Sequence, residues 1–503
     1  MRLRTEGDRV GYDRFWLGMG VILTVALVVR LVHLYWLRQQ GTFLIGDSFI
    51  YHRESRLVAD GLGWINPRVY DGFGVKMELA MHPPAYPAWL AAWSALGVTS
   101  VLGHQLVTLP IGLAVVCTSG LIGRQLWSPV AGLVAASIAA VHPSFFGWEG
   151  MIIQEPMATL AATLVVLAFV RLLRRQDGWS IVLAGLAAGF APLTRAELGV
   201  AVAIGAVVVL IALRSWAIVR SMVAVTLIAV VIVAPWAIHN TIRFGQFVPI
   251  SNGLGTTLTS TYCSELLEET VGYWSYPCQA RAREEVLAEY RAEHPDATTV
   301  APGERATLVI EGYPPVYVDG DDHILELDDA TFDGLLADKA IEFAREHPRY
   351  VLRSIPARIG RVLGVYRPIQ QIRLDELVDG RQRAIALTSW AGYYLLLPFT
   401  VAGAVAMWRR RRAELLLLAT PLLGALAAVT LTFGNTRYRA IAEPSIAVAA
   451  AIGLVIAGAW LRSTWDDRAT APAAGVPEPD GADDEPEDQS AGSEVSRSST
   501  STR

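Results

Sequence analysis

The sequence predicts an all-α polytopic membrane protein with about ten transmembrane helices. Three observations carry that prediction. Of the 503 residues, 53% are hydrophobic and only 18% charged. The apolar residues run in long blocks, many reaching or approaching the roughly 20 that a spanning helix needs. Arginines fall in alternate connections between those blocks, as the positive-inside rule requires. A soluble chain of this length would instead form several domains with charged surfaces. Lysine is almost absent, with only Lys76 and Lys339. That bias reads as GC-rich coding rather than nucleic-acid binding, and no nucleic-acid partner is expected.

The elements follow in order. Phe15–Leu37 comes after Arg2, Arg4, Arg9 and Arg14, and no small-residue cleavage site follows it. It reads as an uncleaved first helix with a cytoplasmic N-terminus. The further spans fall at about 101–122, 129–147, 155–173, 179–194, 197–213, 217–237, 386–407, 413–433 and 441–461. Residues 85–97 form an apolar block only about 20 Å long as a helix, too short to cross. Laid along the membrane face, this block leaves Arg124, Arg171, Arg174, Arg175, Arg214, Arg220 and Arg409 to Arg412 on the cytoplasmic side. Counted as a span, it would move them all outside. The preferred topology has ten helices, both termini in the cytoplasm, and outer juxtamembrane helices.

The expected organisation is an N-terminal membrane module, 1–237, with a first outer loop at 38–100. An extracytoplasmic region follows at 238–385, long enough for a small folded domain. Helices close the membrane part at 386–462, and 463–503 is a disordered acidic cytoplasmic tail. Within the outer region, a helix is expected near Ala330–Glu346, broken at His347-Pro348. Arg349–Val365 reads as a basic amphipathic stretch lying on the surface. Cys263 and Cys278 share this region, where a disulfide is permitted if it lies outside the cytoplasm. Cys117 reads as a buried free thiol.

Charge near the bilayer is costly, so its placement points to function. Gly46-Asp47-Ser48 follows helix one directly. Asp47 either caps the short helix behind it or acts as a catalytic carboxylate. Arg30, within helix one, is placed to pair with an acid such as Asp47. His82 stands at a rigid bend, His82-Pro83-Pro84, either as structure or as a site residue. Glu155-Pro156 is an ordinary helix start, or else an acid facing Asp47 across an outer cavity. Arg195 and Arg437 break the charge rule, standing in short outer loops. Guanidinium groups there could grip a phosphate, contact headgroups or, for Arg195, pair with Glu197. His239 and Asn240 are weaker candidates. No Walker loop, dinucleotide fingerprint or HExxH stands in the chain.

These pieces, in this order, resemble the GT-C superfamily of membrane glycosyltransferases, in the branch of bacterial protein O-mannosyltransferases and aminoarabinose transferases (family 39-like). The matching segments are Gly46-Asp47, Ala59 to Trp64, His82 to Pro87, Gln154-Glu155-Pro156, Leu193-Thr194-Arg195, Ala234-Pro235-Trp236 with Asn240, and Thr436-Arg437-Tyr438. The resemblance covers about 1–460. It implies a GT-C-like fold in the plasma membrane with an extracytoplasmic active site. It implies that Asp47 is the catalytic acid of the first loop and Glu155 the second. Arg195, Arg437 and His82 would bind the donor phosphate. Where some relatives have a metal-holding glutamate this chain has Met81, so a divalent metal stays an open cofactor, with Glu78 and His82 the candidate ligands. The implied reaction is inverting transfer of a sugar from a polyprenyl-phosphate donor to the hydroxyl of a glycan, lipid or protein. A lipid-linked glycan polymerase or ligase, and a lipid or sugar transporter, are the rivals.

Overall fold

The structure is a computed structural model that describes residues 6–39, 44, 46–267, 271–300, 306–308, 316–318, 323–377 and 379–470. The tail expected after Ser463 lies, from residue 471, outside these described residues. The first compact unit is Met1–Ala457; of the second, the described part continues the last helix to Thr470.

Helix α1, Glu6–Gln39, leads into three short helices, α2 (Asp47–Ala59), α3 (Pro67–Phe73) and α4 (Ala85–Ala95). Long helices α5 (Val101–Leu126), α6 (Pro129–Val141) and the four-residue α7 (Pro143–Phe146) follow. Next come α8 (Glu155–Arg175), α9 (Gly178–Thr194), α10 (Leu198–Leu213) and α11 (Trp216–Phe244). Local chemistry sets these bounds. Ser100, Ser128, Asp177 and Ser215 each accept a backbone N–H at the start of α5, α6, α9 and α11. The left-handed residues Gln176, Arg214 and Gly245 end α8, α10 and α11.

Among the described residues, seven helices are long and apolar enough to cross a membrane, or eight with α6 and its bent continuation counted as one. The other two expected spans, α9 and α10, are apolar helices of 17 and 16 residues, shorter than a full crossing. Residues 85–95 form a helix of only 11 residues, as expected of a non-spanning segment. The bundle packs through small side chains. Ala161, Ala162, Ala184, Ala188, Ala201 and Ala425 are buried together with Val165, Phe169 and Val448. A side chain at Gly424 would crowd Ala201, which fits helix contacts driven by close backbone approach.

The region after α11 contains α12 (Leu254–Thr259), α13 (Tyr276–Glu293), α14 (Asp329–Glu346), α15 (Pro348–Val362) and α16 (Pro368–Leu377). It also holds two antiparallel strand pairs, which the all-helical expectation did not include. Strand β1 (Thr299–Val300) pairs with β4 (His323–Ile324), and β2 (Ala306–Leu308) with β3 (Val316–Val318). Cys263 and Cys278 are disulfide-bonded, with Cα atoms 5.9 Å apart. The expected helix near 330–346 is α14, started by the Asp328 side chain and ended at His347.

One expectation is overturned here. The basic stretch 349–365 does not lie wholly on the surface. In α15, Arg358 and Arg361 are fully buried. Arg358 donates to the Tyr262 hydroxyl and the Thr430 carbonyl, and Arg361 to Val271, Gln370 and Gln371. Their long stems pack inward while Leu352 and Arg353 face out. A side chain on Gly434 would collide with the Arg358 backbone, so only glycine lets this helix approach. Helices α17 (Arg383–Arg410), α18 (Arg412–Leu431) and α19 (Glu443–Thr470) complete the chain, with a 3₁₀ segment, Thr436–Ala442, before α19.

Candidate active site

Asp47 is the first residue of α2 but does not cap it. The cap position is Gly46, whose φ of 56° turns the chain sharply out of the preceding segment, and no side chain bonds the helix start. The Asp47 carboxylate points elsewhere. It lies 2.9 Å from Arg437 and 3.4 Å from Nε2 of His82. About a third of its side chain (35%) is exposed, so the acid remains reachable. Burial works to raise its pKa, but the Arg437 charge and the His82 hydrogen bond outweigh it and hold the carboxyl below its usual range. Asp47 is therefore ionised at neutral pH.

Glu155 begins α8 and is wholly buried. Its Oε1 accepts from Arg195 at 2.9 Å and, more closely, from Nε of Arg437. Glu155 and Asp47 thus do not face each other across open space; the Arg437 guanidinium bridges them. Arg195 ends α9 and is 6% exposed. It also lies 2.5 Å from Glu197, and its guanidinium stacks over the Tyr438 ring at 4.8 Å. The local Arg195–Glu197 pair and the site contact therefore coexist. Asn435 caps the segment carrying Arg437 and presents its fork to the two acids.

Asp47, His82, Glu155, Arg195 and Arg437, drawn from four separate connections, therefore meet in one cluster. The structure adds Asp379, which sequence reasoning missed. It stands 3.7 Å from Arg437 and accepts from Asn435 at 2.8 Å. Burial, the largest influence, moves its carboxyl above the ordinary range, with Asp375 nearby adding to the rise and Arg437 opposing it. Its neighbour Asp375 accepts from Thr436 and Gln371. Nothing in the spacing of the 371–381 segment marked these acids. Their only signal was position, just ahead of the span at 386–407.

Four further residues singled out in the sequence have other partners. Arg30 does not pair with Asp47. It donates to both oxygens of Glu149, at 3.0 and 2.8 Å, because α1 runs beside the 3₁₀ turn holding Glu149. A side chain at Gly112 would strike that carboxylate, so α5 leaves room for it. Glu78 is not grouped with His82. It is held by Arg243, whose guanidinium also donates to the carbonyls of Trp64 and Leu79. His239 is a ring neighbour of Trp236 at 5.6 Å and touches none of the five site residues by any recorded bond. Asn240 is buried and bonds Val248, a structural role.

The candidate metal ligands have other partners here. Arg437 already fills the space between Asp47 and Glu155, Glu78 is committed to Arg243, and no group of three His, Cys, Asp or Glu gathers among the described residues.

A bundle of spanning helices whose intervening connections converge on one acid–arginine cluster defines a polytopic membrane protein. Residues 81–239 match the model of the family described as dolichyl-phosphate-mannose-protein mannosyltransferase. The family name assigns neither a sugar nor an acceptor to this chain. No protein of curated function matches the sequence. The archaeal oligosaccharyltransferase AglB from Archaeoglobus fulgidus, solved with an inhibitory peptide and a dolichol-phosphate, is similar at a TM-score of 0.51 and 12% identity. That alignment covers 92% of this chain and 52% of AglB, so the chain spans about half the length of that relative. At this identity the likeness concerns the fold alone. ArnT from Cupriavidus metallidurans, solved with undecaprenyl phosphate, is more distant in shape, at a TM-score of 0.40 and 14% identity over 89% of this chain and 80% of ArnT.

Proposed function

We propose that the protein is an inverting glycosyltransferase that moves a sugar from a polyprenyl-phosphate donor to an acceptor hydroxyl at the extracytoplasmic face of the plasma membrane. One observation carries the reading. Arg437 joins an ionised, reachable Asp47 to a buried Glu155 that Arg195 also holds. Two guanidinium groups beside a base are what this transfer needs.

In this reading the donor phosphate sits against Arg437 and Arg195, which offer forked donors to its oxygens. Asp47 takes the proton of the acceptor hydroxyl. The hydroxyl oxygen bonds to the anomeric carbon from the side opposite the phosphate. The bond from that carbon to the phosphate oxygen breaks, and its electron pair leaves with the polyprenyl phosphate. Configuration inverts, and the proton remains on Asp47. A phosphate leaving group needs charge stabilisation more than protonation, so one base suffices, unlike the carboxylate pair of glycosidases. His82 holds Asp47 in place, and Glu155 fixes both arginines. Sidedness rests on the arginine distribution, which puts the site connections opposite the basic loops.

The test is purified protein with a lipid donor labelled in the sugar. The reading expects free polyprenyl phosphate and labelled acceptor in equal amounts. Movement of intact donor across a vesicle membrane without cleavage would support a transporter instead, and growth of long preassembled glycans would support a polymerase.

A further inference from the structure

Tyr51 stands one helical turn beyond Asp47 on α2, on the same side of the helix. Its ring is fixed between two others, 4.6 Å from His82 and 5.3 Å from Tyr86. The residue is fully buried, and its hydroxyl has no hydrogen-bond partner among the described residues. Buried hydroxyls are rarely left so, because the lost hydration goes uncompensated. A phenylalanine would fill the same space without that cost. Neighbouring Tyr86 makes the contrast plain: equally buried, it bonds Thr108 at 3.0 Å.

The surroundings say what could satisfy the group. The Tyr51 hydroxyl lies within electrostatic reach of Asp47, Glu155, Arg437 and Arg195, the four charges of the site. Burial and the two carboxylates keep the phenol protonated, so it is a donor. The Asp47 carboxylate is engaged by Arg437 and His82, and Oε1 of Glu155 by both arginines. A protonated donor within reach of these groups is suited to an anionic oxygen entering beside the arginines.

Building on the donor-phosphate reading above, we infer that the Tyr51 hydroxyl is a third phosphate ligand, donating to a non-bridging oxygen of the donor lipid alongside Arg195 and Arg437. The unpartnered hydroxyl is then the donor that the phosphate engages.

The experiment compares wild type and Tyr51→Phe, purified in the same detergent, for binding of undecaprenyl phosphate and of undecaprenol, the same lipid without phosphate. Wild type should prefer the phosphate. Tyr51→Phe should bind the phosphate about 10- to 100-fold more weakly, the range supplied by a hydrogen bond to a charged group. Its binding of undecaprenol and its unfolding temperature should not fall. Unchanged phosphate binding in the variant overturns the assignment, as does an equal loss for both lipids, which would mark a packing role. Wild type that does not distinguish the two lipids overturns the donor-phosphate reading itself, and the assignment with it.

Discussion

Arg437→Ala removes the group that holds the site together, and its consequences can be worked from the contacts. Arg437 touches Asp47 at 2.9 Å, Glu155 more closely, and Asp379 at 3.7 Å. Removing one partner of a buried ion pair costs roughly 3–5 kcal/mol. The loss here is smaller, because Glu155 keeps Arg195 and the partly exposed Asp47 keeps His82. About 2–3 kcal/mol of stability is expected to go, which a folded membrane protein can survive. The functional loss should be larger. A positioned donor at developing negative charge is worth about 10²–10³ in rate. Initial rates measured against donor and acceptor separately should show the deficit in kcat/KM for the donor, with the acceptor KM little changed. Arg437→Lys keeps the charge but not the fork, and should recover only part of the rate. An alanine variant with donor kcat/KM within about threefold of wild type would refute the phosphate clamp, since so small a change is under 1 kcal/mol. A deficit confined to the acceptor would do the same.

Three further outcomes follow from other parts of the molecule. Glu54, buried in α2, has its carboxyl pushed up to about 8, by burial first, with Asp329 adding and Arg243 opposing. An acid raised in the folded state stabilises it fully below its unfolded value near 4.5, and that contribution is lost as pH climbs through about 8. The unfolding temperature of wild type should therefore fall between pH 5.5 and 8.5 more steeply than that of Glu54→Gln; parallel curves would show that the shift is absent. Arg30→Met strands the buried Glu149 and should cost roughly 3–5 kcal/mol, most of it regained when Glu149→Gln is added; a double variant no better than the single one would mean the pair is not the cause. Because Arg437 and Arg195 supply the charge in the proposed reaction, EDTA should leave transfer by the purified protein intact, and abolition reversed by added divalent metal would contradict that reading.

Much of this architecture was legible in the sequence because membrane insertion leaves a strong imprint. Long apolar blocks and the alternation of arginines located the helices long enough to cross, together with the shorter α9 and α10, and kept 85–97 from being counted as a span. The same cost of charge near lipid singled out Asp47, Glu155, Arg195 and Arg437. Their meeting through one guanidinium was not legible, since it depends on how α2, α8 and α9 and the segment before α19 pack, and side-chain reach is not written in spacing. Asp379 was missed because an acid in a polar segment looks like solvated surface. Arg30 was assigned the wrong partner because the turn after α7 folds Glu149 back into the bundle, a bend that periodicity does not reveal. The buried arginines of α15 were read as surface charge for a related reason. Their partners are carbonyls and a phenol from distant segments and two amides from the next helix, which no local charge pattern announces.

The most direct test replaces one atom group. Asp47→Asn keeps the size and position of the side chain, and its hydrogen bond from His82 can persist, but it cannot take a proton from the acceptor. Purified wild type and Asp47→Asn should be compared with the same sugar-labelled polyprenyl-phosphate donor and the same acceptor preparation. The variant should fold and bind donor within about a few-fold of wild type, yet transfer sugar at least about 10²-fold more slowly, the lower range for loss of a general base. Transfer by Asp47→Asn at the wild-type rate would contradict it.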